Sequence, residues 1–182
     1  MLPPGSIALT GGIAMGKSTI LSIFQELGAT VLSADAVVAR LWAHPETGSR
    51  WAMQLGVDYP VDTEVLRNRL ADPRFRTQVA KVVQREVLQI LLESRAEVIE
   101  VPVLFEACVQ GRFATVVVAV CPEKVQLERL MVRLGKKEQS IELIRAQLPS
   151  VVKVAFADFV VDTSESLDAT KRQVEHLLRA RR

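Results

Sequence analysis

Residues 7–19 read Ile7-Ala8-Leu9-Thr10-Gly11-Gly12-Ile13-Ala14-Met15-Gly16-Lys17-Ser18-Thr19. A short apolar run meets a glycine pair; Gly11 and Gly16 enclose four residues, and Lys17-Ser18 follow. This fits Gly-x-x-x-x-Gly-Lys-Ser, a phosphate-binding loop. Each part has a physical task. The glycines let the backbone turn sharply and approach a polyphosphate with no Cβ in the way. The loop turns its N–H groups inward as an anion nest, and the helix that starts near Lys17 adds its positive end. Lys17 sets a compact charge on the outer phosphates, and the Ser18 hydroxyl can ligate Mg²⁺.

Outward from the loop, Ile20, Ile23, Phe24 and Leu27 recur at helical spacing, and Gly28 supplies a stop. Thr30 to Ser33 reads as a second strand with Asp35 just past its end. Strand, loop, helix, strand predicts a parallel pair joined by a crossover helix. Val98–Leu104, Ala114–Val120 and Phe159–Val161 read as further strands. Near-continuous apolar strands separated by helices predict a parallel sheet covered on both faces. Between them, Val79, Val82, Val83, Val87, Ile90 and Leu91 form one helical stripe, whose plain reading is core packing. Gly48 to Asp62 shows no period and reads as loop. Leu127, Leu130, Met131 and Leu134 form a helix ending at Gly135, and Leu167, Thr170, Val174, Leu177 and Leu178 mark the last one.

Ligands of open α/β sheets sit beyond the carboxyl ends of the strands. Asp35, Glu100 and Glu106 lie near such ends. Asp35 is the favoured base: a carboxylate there can take a hydroxyl proton or position the acceptor and Mg²⁺. It equally suits the N-cap of a helix beginning at Ala36, and the two roles are compatible. Phosphoryl transfer also needs cations against spread negative charge. Arg129, Arg133, Lys136, Lys137, Arg145 and Lys153 cluster after the fourth strand. As a group they predict a mobile flap that closes over phosphates and excludes water; singly, each also suits a solvated helix face.

The chain has 182 residues, 49% hydrophobic and 24% charged, with a formal net charge of +2. That is a globular composition, and the mild charge calls for neither nucleic acid nor a membrane surface. Cys108 and Cys121 have no zinc or redox spacing and read as two buried thiols in a reducing cytosol. With no basic start before an apolar stretch, the expectation is a soluble cytoplasmic protein, monomeric or a small homo-oligomer. A switch GTPase is set aside: no Asp-x-x-Gly follows the third strand and no Asn-Lys-x-Asp occurs.

Several blocks together resemble the dephospho-CoA kinases: Leu9 to Thr19, Leu27-Gly28 and Ala34-Asp35; Val101-Pro102-Val103-Leu104-Phe105-Glu106; Gln126 to Arg133; Arg145-Ala146-Gln147-Leu148-Pro149; and Ala157 to Thr163. The resemblance implies a three-layer α/β P-loop fold with a five-stranded parallel sheet. By it the core is residues 1–35, 97–132 and 157–182, the helical acceptor-binding insertion about 36–96, and the lid about 133–156. It implies that ATP phosphorylates the ribose 3′-hydroxyl of dephospho-CoA. Asp35 is then the catalytic carboxylate, near Thr10; Arg133 and Arg145 are lid arginines; Asp162, Thr163 and Ser164 lie by the adenine. Departures stand at Ser33, where the family has the first Asp of D-A-D, at Gln84-Arg85, where it has His-Pro, and in a shorter chain. The alternatives are another small-molecule or nucleotide kinase, or a weakly catalytic ATP-binding regulator.

Overall fold

The computed structural model describes residues 2–70 and 72–181. Its contacts divide the chain into a sheet unit, residues 1–33 with 94–182, and a helical unit, residues 34–93.

The sheet unit holds five parallel strands: β1 (Ile7–Gly11), β2 (Val31–Ser33), β3 (Val98–Glu100), β4 (Thr115–Val120) and β5 (Phe159–Asp162). Their order is β2-β3-β1-β4-β5. This corrects the expected β1–β2 pair. β3 stands between them, with Val98 opposite both Ile7 and Val31. Burial explains the order: every residue of β1 and β3 is buried, whereas β2 is only half-buried and takes an edge. β3 is also shorter than expected. Its ladder ends at Glu100, two residues before Pro102, which has no N–H to donate.

Helix α1 (Lys17–Glu26) buries Ile20, Leu21, Ile23 and Phe24 against β1 and β4 residues such as Leu9 and Val117. Each such side chain contributes about 1.5–3 kcal/mol by leaving water. Helix α9 (Leu167–Ala180) closes the same core with Val174 and Leu177, its N-terminus capped by Ser166 accepting from the Ala169 N–H.

The helical unit comprises α2 (Ala34–Ala43), α3 (Pro45–Leu55), α4 (Thr63–Arg69) and α5 (Pro73–Glu93). α3 occupies much of the stretch expected as loop. Its signals are Pro45 at the start, a buried stripe of Trp51, Ala52 and Leu55, and Gly56 closing it at φ +62°. Trp51 is fully buried, edge-on to Trp42 at 5.3 Å. Its Nε1–H donates to Glu86 Oε1 at 3.3 Å, and Arg50 donates to the other Glu86 oxygen at 2.6 Å. Helix α5 runs unbroken through Gln84-Arg85, where no proline interrupts it.

Helices α6 (Glu123–Leu134), α7 (Lys137–Arg145) and α8 (Ser150–Ala155) follow β4 in the sheet unit. Among the described residues no helix is long and apolar enough to cross a membrane. The cysteines are both free, but Cys108 is exposed rather than buried as expected. Burial pushes the Cys121 thiol up, Arg129 opposing and Asp162 adding to the effect.

Candidate functional site

The loop between β1 and α1 sits at the carboxyl end of the central strand. Ala14 takes a left-handed conformation, φ +58°, and so does Gly16, φ +77°. Such turns converge successive N–H groups on one point. At Gly16 only glycine fits: a Cβ there would lie 2.8 Å from Thr163 Oγ1 and 2.9 Å from its methyl carbon. Lys17 begins α1 and is half-buried, with Nζ donating to the Gly12 carbonyl at 2.9 Å. Ser18 and Thr19 follow, both exposed. The first turn of α1 has no side-chain cap and no acidic residue, so its orphan N–H groups and positive dipole end favour an anion.

The loop is held from outside by side chains with backbone partners. Gln126, buried in α6, donates from Nε2 to the Ile13 carbonyl at 2.9 Å. Gln147, just past α7, accepts the Ile13 N–H at 2.7 Å. Thr163 Oγ1 donates to the Met15 carbonyl at 3.2 Å. Arg129 in turn grips Thr163, donating to its Oγ1 at 2.9 Å and its carbonyl at 2.5 Å. Beside the loop lies an open pocket of about 250 Å³, lined among others by Ala14, Gly16, Arg129, Arg133, Thr163 and Leu167. It offers backbone, two guanidinium groups and an apolar wall next to the phosphate nest.

Of the residues picked out in the sequence, Gly11 to Thr19, Arg133 and Thr163 therefore belong to one neighbourhood. Asp162, the last residue of β5, is exposed and accepts the Ser164 N–H at 2.7 Å. Arg133 stands in the last turn of α6, and Arg145 ends α7; both are exposed. Asp35 belongs to the helical unit, exposed in the first turn of α2. The helix already includes Ala34, so Asp35 lies inside it rather than at an N-cap before Ala36. Thr10 is fully buried. Glu100 is buried on β3 and accepts from the Ser33 hydroxyl at 2.9 Å, so the serine that departs from the family pattern has a carboxylate partner. Lys153 is not a flap cation. It is 1% exposed and ion-paired to Glu106 at 3.0 Å. Sequence reasoning passed over Gln126 and Gln147 as functional residues. The available signal was a polar residue where its helix is buried, as at Gln126.

The same architecture occurs in solved proteins. A Thermus thermophilus protein matches with TM-score 0.74 at 29% identity over 97% of both chains. The dephospho-CoA kinase from Campylobacter jejuni matches with TM-score 0.63 at 18% identity, again over 97% of both, a likeness of fold. In sequence, the dephospho-CoA kinase of Rhizobium meliloti is 33% identical over 185 residues, covering 94% of this chain and 95% of the relative. That of Agrobacterium fabrum is 34% identical over 189 residues, with 94% and 95% covered. The dephospho-CoA kinase family profile matches residues 6–169. A phosphate loop alone would suit many nucleotide-binding chains. A match that begins before β1, passes through the helical unit and ends in α9 is far more selective, and by it the chain belongs to the dephospho-CoA kinase family.

Proposed function

We propose that this protein transfers the γ-phosphoryl group of ATP to the ribose 3′-hydroxyl of dephospho-CoA, giving CoA and ADP, the final step of coenzyme A synthesis. The observation that carries the reading is the uncapped start of α1 behind a loop whose Gly16 packs against Thr163. It is an anion seat with an open pocket of about 250 Å³ beside it.

In this reading N–H groups of the Gly11–Thr19 loop other than that of Ile13 hold the phosphate chain, and Lys17 stabilises charge on the outer phosphates as the bond to the leaving oxygen lengthens. Asp35 accepts the proton of the attacking hydroxyl, or orients it. Arg133 and Arg145 offset equatorial charge and keep competing water out. Asp162 and Thr163 border the base. For magnesium, Ser18 would offer the exposed hydroxyl it carries at the second position of α1, and Asp35 is the carboxylate expected to join it. When bound, the ion would supply charge neutralisation to the phosphate chain. The stretch of about 36–96 serves as the acceptor-binding insertion and about 133–156 as the lid. The protein works in the cytoplasm as a monomer or small homo-oligomer, a placement supported by its two free cysteines.

The test is ADP release with ATP, Mg²⁺ and dephospho-CoA. Turnover well above that in buffer is expected, with product carrying a 3′-phosphate. Turnover indifferent to dephospho-CoA, with ATP still bound, would reject this acceptor, and a panel of sugar and nucleotide alcohols would then identify the substrate.

A further inference from the structure

Both polar groups of one residue in the phosphate loop are held by glutamine side chains from separate elements. The Ile13 N–H goes to Gln147 Oε1 at 2.7 Å, and the Ile13 carbonyl receives Gln126 Nε2 at 2.9 Å. The approach is close: a side chain at Gly12 would make the Gln126 amide give by a few tenths of an ångström. A Cβ there would lie 3.0 Å from Gln126 Nε2 and 3.4 Å from Gln147 Oε1.

Those two glutamines bracket a particular stretch of chain. Between them lie the rest of α6, all of α7, and the arginines Arg129, Arg133 and Arg145. The basic excursion thus leaves the loop at Gln126 and returns to it at Gln147. Beyond the return point the chain stays fastened. Ser150 Oγ donates to Met15 Sδ at 3.5 Å, and buried Lys153 pairs with Glu106 at 3.0 Å. Arg145 stands two residues before Gln147 at the end of α7. The end of α7 is therefore anchored directly on the loop that seats the phosphates. Misplacing a charge by about an ångström costs up to about a hundredfold in rate.

We propose that Gln147 is a positioning residue for phosphoryl transfer, holding the Ile13 peptide so that α7 presents Arg145 in register with the phosphate loop. This rests on the kinase reading above. The Ile13 N–H is committed to Gln147, so the bond shapes the nest without competing for the anion. Its loss should appear in the chemical step more than in nucleotide affinity.

The experiment compares the full-length wild type with Gln147→Ala, Gln147→Glu, Arg145→Ala and the double variant Gln147→Ala/Arg145→Ala. Three readouts are taken: amide exchange at Ile13 by NMR without nucleotide, ADP affinity by titration, and kcat and KM. In Gln147→Ala, Ile13 exchange should quicken at least about tenfold and kcat should fall about ten- to a hundredfold. ADP affinity should stay within about threefold. Glutamate keeps the acceptor oxygen, so Gln147→Glu should retain Ile13 protection and most of kcat. Because Gln147 acts through Arg145, the double variant should be no slower than Arg145→Ala alone. Unchanged kcat in Gln147→Ala, additive losses in the double variant, or a defect confined to ADP affinity would overturn the assignment. Should Gln147→Ala fail to fold, Gln147→Glu decides: protected Ile13 with kcat near wild type supports it, and protected Ile13 with kcat as low as in Arg145→Ala overturns it. Wild type that ignores dephospho-CoA would count against the acceptor alone, since the exchange and titration readouts need no acceptor.

Discussion

In the sheet unit the side chains around the phosphate loop end on backbone: Gln126 and Gln147 on Ile13, Lys17 on Gly12, Arg129 on Thr163. In the helical unit the buried anchor ends on other side chains. Trp51 meets Glu86 and the edge of Trp42, and Arg50 joins the same carboxylate. The difference bears on what each region tolerates. A site made of backbone N–H groups needs glycines and one lysine at fixed spacing, and truncating that lysine should alter chemistry with little effect on folding. A helical unit held by packing should respond in stability first.

The largest expected effect tests the first half of that contrast. Lys17→Ala removes the charge on the outer phosphates, worth about 3–4 kcal/mol of barrier or more, so kcat should drop by about two to three orders of magnitude. Lys17 is only half-buried and α1 keeps its apolar face of Ile20, Leu21, Ile23 and Phe24, so the melting temperature should move little. A variant that melts far earlier, or one with near-normal turnover, would break the contrast.

Gly48→Ala tests the second half. Within α3, a Cβ at this position would lie 2.3 Å from the Trp42 carbonyl oxygen and 2.5 Å from Tyr59 Cε2. Neither backbone nor a packed ring gives way cheaply, so urea unfolding should show a loss of about 1–3 kcal/mol. ADP affinity should stay within about threefold, since the nucleotide loop belongs to the other unit. A tenfold loss of ADP affinity would show the two units to be less separable than their contacts imply. Trp51→Phe is milder. It keeps an aromatic ring in the buried slot but removes the Nε1–H donor to Glu86, which retains Arg50, and leaves a small cavity, so it should cost about 1–2 kcal/mol in the same assay.

The same contrast decides what could be read without coordinates. Gly11 to Ser18 was legible because each residue answers a backbone demand that recurs wherever phosphate is held this way. The five strands were legible as apolar runs, but their order was not. The position of β3 between β1 and β2 depends on which strand can bury both edges, a property of the assembled sheet. Helix α3 was hidden because Trp51, Ala52 and Leu55 form a short stripe with polar residues and a glycine around it. Lys153 looked like another flap cation because its partner, Glu106, stands 47 positions away in the chain. Gln126 and Gln147 were not legible as loop anchors, since nothing local marks an amide that reaches back to a loop more than a hundred residues earlier.

The smallest effect lies at the amino end of the sheet, where backbone again holds a side chain. Glu97 Oε2 accepts the Thr30 N–H at 2.8 Å and its hydroxyl at 3.0 Å, tying the approach to β3 to the approach to β2. These bonds, the backbone one foremost, hold the carboxyl below its ordinary range, with slight burial opposing. A depressed carboxyl stabilises the fold fully above its unfolded value, and the contribution fades as pH falls through the folded one. Glu97→Gln abolishes the charge, so it should be less stable than wild type near pH 7. The group is exposed, so the gap should be no more than a few tenths of a kcal/mol. It should begin to close below about pH 4 and be absent once the wild-type carboxyl is protonated. Paired urea titrations from neutral to acid pH measure this. A gap that persists or widens in acid would mean that Glu97 acts through packing, and that the backbone-held side chains of the sheet unit do not behave as one class.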